Sequence, residues 1–419
     1  MCDNGNTNEA PTRRDYLKYG GAVVGGGLLA GCAEQSDGGS TPTRASTETT
    51  PERTTSERAT TTTGSQTATP ENGPYSVAMS PVGPIEFDEP PTSIFTRLTH
   101  HAGMAFALGR GDDVNAVNGP AYYDATWKQF TERLPGVSVN WADAYASWQP
   151  TKEQLYELDS DVHLADPAWV VQLDQWGMDD IEEIGENVSP WFGNSLSDTH
   201  KQPTEEWTGG EYEYYGLWEQ FEKVAQVFRE EERYEALASI HADVLATIEG
   251  CLPSESDRPS VAMITAADVE KQIWAYTVDN PGFLSAHTRP LEPRNPFGET
   301  FQSGSNVDFE ALLEADPEVV LYLSGMQPDV SMTDLRSTLE SHPVASEITA
   351  VKDDRVFPMG ARYQGPVLNL FQLEMCAKQF YPETFGEWPT SDGGPYPEIP
   401  AEEQLFDRQR VADIINGDI

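Results

Sequence analysis

Positive charge is what this sequence has least of. Its 419 residues carry 26 Lys and Arg against 69 Asp and Glu, a formal net charge of −43. Binding a nucleic acid requires clustered Lys and Arg to replace phosphate counterions, and the chain has no such cluster. Long apolar runs are also missing, since none reaches the roughly 20 residues that span a bilayer. Cysteine is scarce, with Cys2, Cys32, Cys251 and Cys376. Neither these nor the histidines show metal-ligand spacing, so no bare-metal site is expected. There is no Gly-x-Ser-x-Gly elbow, no His-Glu-x-x-His and no phosphate loop. Carboxylate pairs occur everywhere and so point nowhere. No catalytic constellation appears, so neither an enzymatic activity nor a cofactor is expected from these residues.

What is present begins at the N-terminus. Arg13 and Arg14 precede a short run, Tyr19 to Ala30, that is diluted by Gly20, Gly21, Gly25, Gly26 and Gly27. It is too short and too weakly apolar to span a membrane, and it reads as a targeting segment. It resembles a twin-arginine export signal. Leu29-Ala30-Gly31-Cys32 resembles a lipobox. Together they imply removal of residues 1–31, a lipid on Cys32, and anchoring at the extracellular face of the cell membrane. Residues 32–74 are rich in Thr and Ser and hold almost nothing large and apolar, which suits a disordered tether. The acidic excess would self-repel in dilute buffer, but at 1 M salt the Debye length falls to about 3 Å and the repulsion is quenched. In this the composition resembles proteins of salt-loving archaea.

The remaining chain exceeds one comfortable core and predicts two domains. Strands are expected at Ser93–Thr99, Val114–Asn118, Val137–Asn140, Val162–Ala165 and Ile184–Trp191, alternating with helices that include His101–Leu108 and Lys152–Leu158. The second half repeats the style. Strands are expected at Val261–Thr265, Trp274–Val278, Val319–Leu323 and Arg355–Met359, with helices at Phe309–Glu314, Ser341–Ala350, Val367–Phe380 and Glu402–Ile415. Between the halves, Leu217, Phe221, Val224 and Phe228, then Leu237, Ile240, Val244 and Ile248, fall at helical spacing up to Pro253. This predicts one connecting helix over 216–251, about 50 Å long. The expected architecture is α/β: two three-layer α/β lobes with mostly parallel sheets, 75–215 and 252–419, joined by a single long α-helix. Cys251 and Cys376 are left either to pair in an oxidising exterior or to remain free thiols.

Three segments carry a family resemblance. The run Trp148-Gln149-Pro150-Thr151-Lys152-Glu153-Gln154-Leu155, with Leu158, Asp159, Asp161 and Val162, is echoed by Val307-Asp308-Phe309-Glu310-Ala311-Leu312-Leu313 and Ala315-Asp316-Pro317-Glu318-Val319-Val320. Ala350-Val351-Lys352-Asp353-Asp354-Arg355-Val356-Phe357 follows in the expected order. With the two-lobe pattern, these segments resemble the solute-binding lipoproteins of ABC importers, in the branch that carries iron(III)-siderophores, haem and cobalamin. Asp354 stands where glycine is usual, and Ser160 where proline is. The resemblance implies that Glu153 and Glu310 dock onto arginines of a membrane permease served by its own ATPase. It also places the ligand between the lobes, at the carboxyl ends of the strands. Loops there hold many aromatics and a few arginines, suited to flat contact and to oxygen-rich anions. The residues expected to bind ligand are Trp148, Tyr123, His100, Trp169, Arg294, Arg362 and Tyr363. Trp148 matches a ligand-contacting tryptophan of the cobalamin-binding relatives. An iron(III)-siderophore is the expected cargo, with cobalamin or haem as the alternative within the family. An exported enzyme or a structural surface lipoprotein are readings outside it. A monomer is expected, closing only modestly on its ligand.

Overall fold

The structure is a computed structural model and describes residues 73–207, 212–298, 300–389 and 394–419. The leader, Cys32 and the tether as far as residue 72 lie outside the described residues. Short, mostly apolar runs form the sheets. A hairpin of β1 (Tyr75–Met79) and β2 (Gly83–Phe87) precedes the first lobe. That lobe is built on β3 (Ile94–Thr96), β4 (Val114–Val117), β5 (Tyr145–Ala146) and β6 (Val162–Leu164), all parallel in the order β5-β4-β3-β6. The second lobe uses β7 (Val261–Asp268), β8 (Gln272–Tyr276), β9 (Ser305–Val307), β10 (Val319–Tyr322) and β11 (Val356–Pro358), in the order β11-β10-β7-β8-β9. There β11, β10 and β7 are parallel, and β8 and β9 add an antiparallel edge. No helix among the described residues is long and apolar enough to cross a membrane.

Strand alternation sorts the cores. In the first lobe Ile94 and Val114 face one core while Phe95 and Ala116 face another. In the second lobe Val261, Met263, Val319 and Leu321 join the same core as Ile94, and Ala262, Ile264, Val320 and Tyr322 face a separate one. One face of each sheet therefore shares a single hydrophobic core that runs through both lobes. Two helices carry it across: Thr99–Ala107 from the first lobe and Pro366–Phe380 from the second, each buried along its whole length.

Several expected elements differ. Val137–Asn140 is not a strand, although Val139 is buried. The chain there turns toward the Pro120–Thr131 helix, and the Trp141 N–H donates to Asp124 Oδ1 at 2.8 Å. The strand beside β4 is Tyr145–Ala146 instead. Ile184 lies in a helix, Met178–Asn187, that buries Ile181 and Ile184, and Trp191 makes only an isolated bridge with His163. In the second lobe the helix is Met332–Ser341, ending where one was expected to begin. The expected Glu402–Ile415 helix starts at Arg408 and runs to Asn416.

The connector is two helices, Leu217–Phe228 and Glu231–Cys251, not one. Arg229 sits in the left-handed region (φ 55°). Its N–H reaches the Gln226 carbonyl at 3.3 Å and the Glu230 N–H reaches the Ala225 carbonyl at 3.0 Å, which closes a Schellman motif. The Arg229 guanidinium lies 4.1 Å from the Tyr75 ring centroid, so the break is held from outside the helix. The 21-residue helix that remains spans about 31 Å.

Where the two carrying helices cross, glycine meets glycine. A Cβ on Gly365 would lie 2.7 Å from the Gly103 Cα and 3.0 Å from Trp127 Cη2. Only backbone fits there, so the lobes touch at a distance that no side chain permits. Gly365→Ala is expected to force the helices apart and to destabilise the protein by about 1–3 kcal/mol, read as a lower urea midpoint at fixed salt.

A second tie is Asp166, buried just after β6. It accepts hydrogen bonds from the Ala168, Ser195 and Leu196 N–H groups at 2.8, 2.7 and 3.2 Å and from the Tyr212 hydroxyl at 2.6 Å. It thereby pins the segment that leaves the first lobe. Burial pushes its carboxyl up to about 6, against the opposing pull of those donors. Its pKa is higher folded than unfolded, so its contribution to stability is present below 3.8 and is lost as pH rises through about 6. Asp166→Asn should remove that loss. Between about pH 4 and pH 7 the variant should gain about 2–3 kcal/mol relative to the native protein in paired urea titrations. Parallel pH profiles would contradict this.

Candidate functional site

The carboxyl ends of the strands converge on the seam between the lobes. Just beyond β3 lies Arg97, 2% exposed. Its guanidinium is 5.1 Å from the Trp148 ring centroid and 5.6 Å from that of Trp169. Nη2 donates to the Trp148 carbonyl at 3.2 Å, while Nε and Nη1 have no partner. Burial lowers its pKa to about 10, offset by Tyr363 and Asp166, so it stays charged at neutral pH. A buried cation with two unused, directional N–H donors is costly by itself and is relieved by an anion.

Around it stand residues from both lobes. The Tyr363 ring is 6.0 Å from Trp169 and 6.0 Å from His100, and its carbonyl accepts from Thr99 Oγ1 at 2.8 Å. Arg362 reaches across to Asp198, with Nη2 and Nε at 2.5 and 3.0 Å from Oδ2. The same guanidinium sits 5.1 Å from Tyr363 and 5.4 Å from Tyr276. Burial raises the Asp198 carboxyl, and Arg362 pulls it back. Backbone packing seals the pair, because a Cβ on Gly282 would lie 2.1 Å from the Asp198 carbonyl oxygen. Lys201, nearby, is lowered to about 8 by burial and by Arg362. Tyr123 is 3% exposed, and its phenol is raised by burial with Tyr363 and Arg362 as electrostatic neighbours.

The His100 and His101 ring centroids lie 3.9 Å apart with the rings tilted by 35°, both fully buried, and His100 packs on Phe283 at 4.8 Å. Burial drives both rings toward the neutral form, with His101 at about 3. They pack within the seam with all four ring nitrogens buried. Among the described residues no three His, Cys, Asp or Glu side chains come together as a metal site. Cys251 is exposed and Cys376 is buried, and they do not pair.

The structure thus gathers Trp148, Trp169, His100, Tyr123, Arg362 and Tyr363 at one place. Arg294 is not among them. Its backbone bridges Ser260 at the amino ends of β7 and β10, and its side chain binds Glu318 at 2.7 Å and the Arg258 carbonyl at 2.7 Å. It braces the opposite end of the sheet. Sequence reasoning missed Arg97, Asp198 and Asp166. For Arg97 a signal existed, an arginine directly after an apolar strand in an arginine-poor chain.

Glu153 and Glu310 lie outside the seam. Each is exposed and is the second residue of a seven-residue helix, Lys152–Leu158 and Phe309–Ala315. Thr151 and Asp308 cap these helices, and Asp159 and Asp316 end them in the left-handed region. Each helix feeds the amino end of a parallel strand, so its acidic first turn lies toward the carboxyl ends.

Comparison with known proteins places this geometry. No curated protein matches the sequence. An iron-uptake ABC-transporter substrate-binding protein from Streptococcus pneumoniae is similar in structure, with 16% identity and a TM-score of 0.52 over 74% of this chain and 99% of that one. A periplasmic solute-binding protein from Veillonella parvula is similar over 80% of this chain and 97% of its own, with 15% identity and a TM-score of 0.52. At such identities the likeness is one of fold. The periplasmic binding protein family model matches residues 102–363, from the first helix of the seam to Tyr363. The chain belongs to the periplasmic binding protein family.

Proposed function

We propose that this protein captures a negatively charged iron(III) chelate of the siderophore type between its lobes and passes it to the permease of an ABC importer. Arg97 carries the reading. It is a buried guanidinium between two tryptophans, with Nε and Nη1 unpartnered. Its N–H fork suits paired carboxylate, hydroxamate or catecholate oxygens, and the flanking rings suit the chelate's organic frame. Arg362 and Lys201 place two more cations close by, in a chain whose bases are outnumbered 69 to 26. That concentration of scarce positive charge is the specific support for an anionic cargo. The family match and the similar fold of an iron-uptake protein support the importer context.

In this reading Glu153 and Glu310 offer one carboxylate per lobe to arginines of the permease, by short charge-assisted pairs. The lipid on Cys32 and the tether keep the receptor near its permease and raise its effective concentration. The acidic surface suits a molar-salt exterior, where steering over distance is screened.

Tryptophan fluorescence tests the reading. Ferric siderophores of the citrate, hydroxamate and catecholate types, haem and cobalamin are titrated into the protein in molar salt. Saturable quenching by a ferric siderophore is expected. Arg97→Leu should weaken it ten- to hundredfold, on the scale of one charge-assisted contact of about 1.5–3 kcal/mol. Quenching by cobalamin or haem alone would move the cargo within the family. Quenching by none of these ligands would contradict the reading.

A further inference from the structure

The helices that present Glu153 and Glu310 align position for position. Thr151 and Asp308 cap them, Leu155 and Leu312 are buried at the same step, and Glu157 and Glu314 follow the first carboxylate by one turn. Carboxylates therefore cannot tell one lobe from the other. Nor can they mark a place on a surface where acids outnumber bases 69 to 26. The helices differ in what stands beside the carboxylates. Tyr156 is 45% exposed, whereas its counterpart Leu313 packs against the second-lobe core.

Tyr156 has a companion. Among the described residues, three large hydrophobic side chains are exposed: Tyr145, Tyr156 and Ile419, the last residue of the sequence. Tyr145 lies on β5, the edge strand of the first sheet, and its hydroxyl donates to Glu157 at 3.4 Å. The Tyr156 hydroxyl donates to Glu183 at 3.1 Å. Glu153, Tyr156 and Glu157 share a helix face by their spacing of three and four residues. The result is a continuous patch on one lobe, with two exposed rings interleaved with carboxylates. Tyr145 is 36% and Tyr156 45% exposed, and tyrosine is enriched at the centres of interfaces.

We propose that Tyr145 and Tyr156, with Glu153 and Glu157, form a docking face that seats the first lobe on a basic surface of the permease. This rests on the receptor reading above. The charge of the patch selects a partner rich in arginine or lysine. A guanidinium can pair with a carboxylate and stack on the adjacent tyrosine ring in one contact. Stacking acts at contact range and so persists where salt screens the longer field. The rings also give the partner a feature that separates the first lobe from the second.

The test measures two affinities for each variant in molar salt: ferric-chelate binding by tryptophan quenching, and binding to the permease reconstituted in nanodiscs. Tyr145→Ser with Tyr156→Ser should leave chelate affinity unchanged and weaken permease binding about tenfold or more. Tyr145→Phe with Tyr156→Phe should keep near-native permease binding, because the rings remain. Native permease affinity in the serine variant would overturn the proposal. So would self-association of the native protein in sedimentation that the serine changes abolish, since the patch would then serve a second copy of this chain. A native protein that binds the chelate but never the permease would overturn the receptor reading itself, and the proposal with it.

Discussion

The coupling of the two lobes depends on the contact between Gly103 and Gly365. Two fully buried helices, one from each lobe, meet backbone to backbone, with Trp127 closing over both glycines. That approach lets the inner faces of two separate sheets share one hydrophobic core. Packed interiors resist gradual deformation, because each small displacement forfeits many dispersion contacts. The two lobes are therefore coupled by a joint, and the strands' carboxyl ends are held in register across it.

That register creates the electrostatic character of the seam. Arg97 comes from the end of β3, Trp148 from beyond β5, Trp169 from beyond β6, and Arg362 with Tyr363 from beyond β11. Sheet order places them together, although they are far apart in sequence. The seam already satisfies one of its cations, since Arg362 is paired with Asp198 from the opposite lobe. It leaves another partly unsatisfied, since Arg97 keeps two free donors between aromatic walls. In the proposed reading an incoming anion gains most at Arg97, whose Nε and Nη1 have no partner. At Arg362 it competes with a carboxylate that burial already disfavours as an anion.

Much of this was legible beforehand, for reasons that can be named. Thr151 and Asp308 are cap residues at fixed distance before an apolar step, so both short helices were placed to within a residue. The β-branched runs marked β4, β6, β7 and β10. Failures came where local signals were silent. Arg229 adopts a left-handed conformation that usually advertises itself by glycine. Here a Schellman motif and the Tyr75 ring hold an arginine in it, so the periodic run looked unbroken. Val139 is buried like a strand residue, yet its stretch turns away where the Trp141 N–H donates to the Asp124 carboxylate. Arg294 looked like a ligand arginine because chemistry alone does not tell which end of a strand a loop returns to. Arg97 follows an apolar strand and is separated by only two residues from a pair of histidines, whose residue type draws the eye first.

A joint this tight leads to one mechanical expectation: ligand should enter with little movement of the lobes. Small-angle X-ray scattering of the protein free and saturated with a ferric chelate, in the same molar salt, tests it most directly. Superimposable curves and a radius of gyration unchanged within error are expected. A marked compaction on binding would contradict it, because the glycine joint would then have to open and close with each ligand.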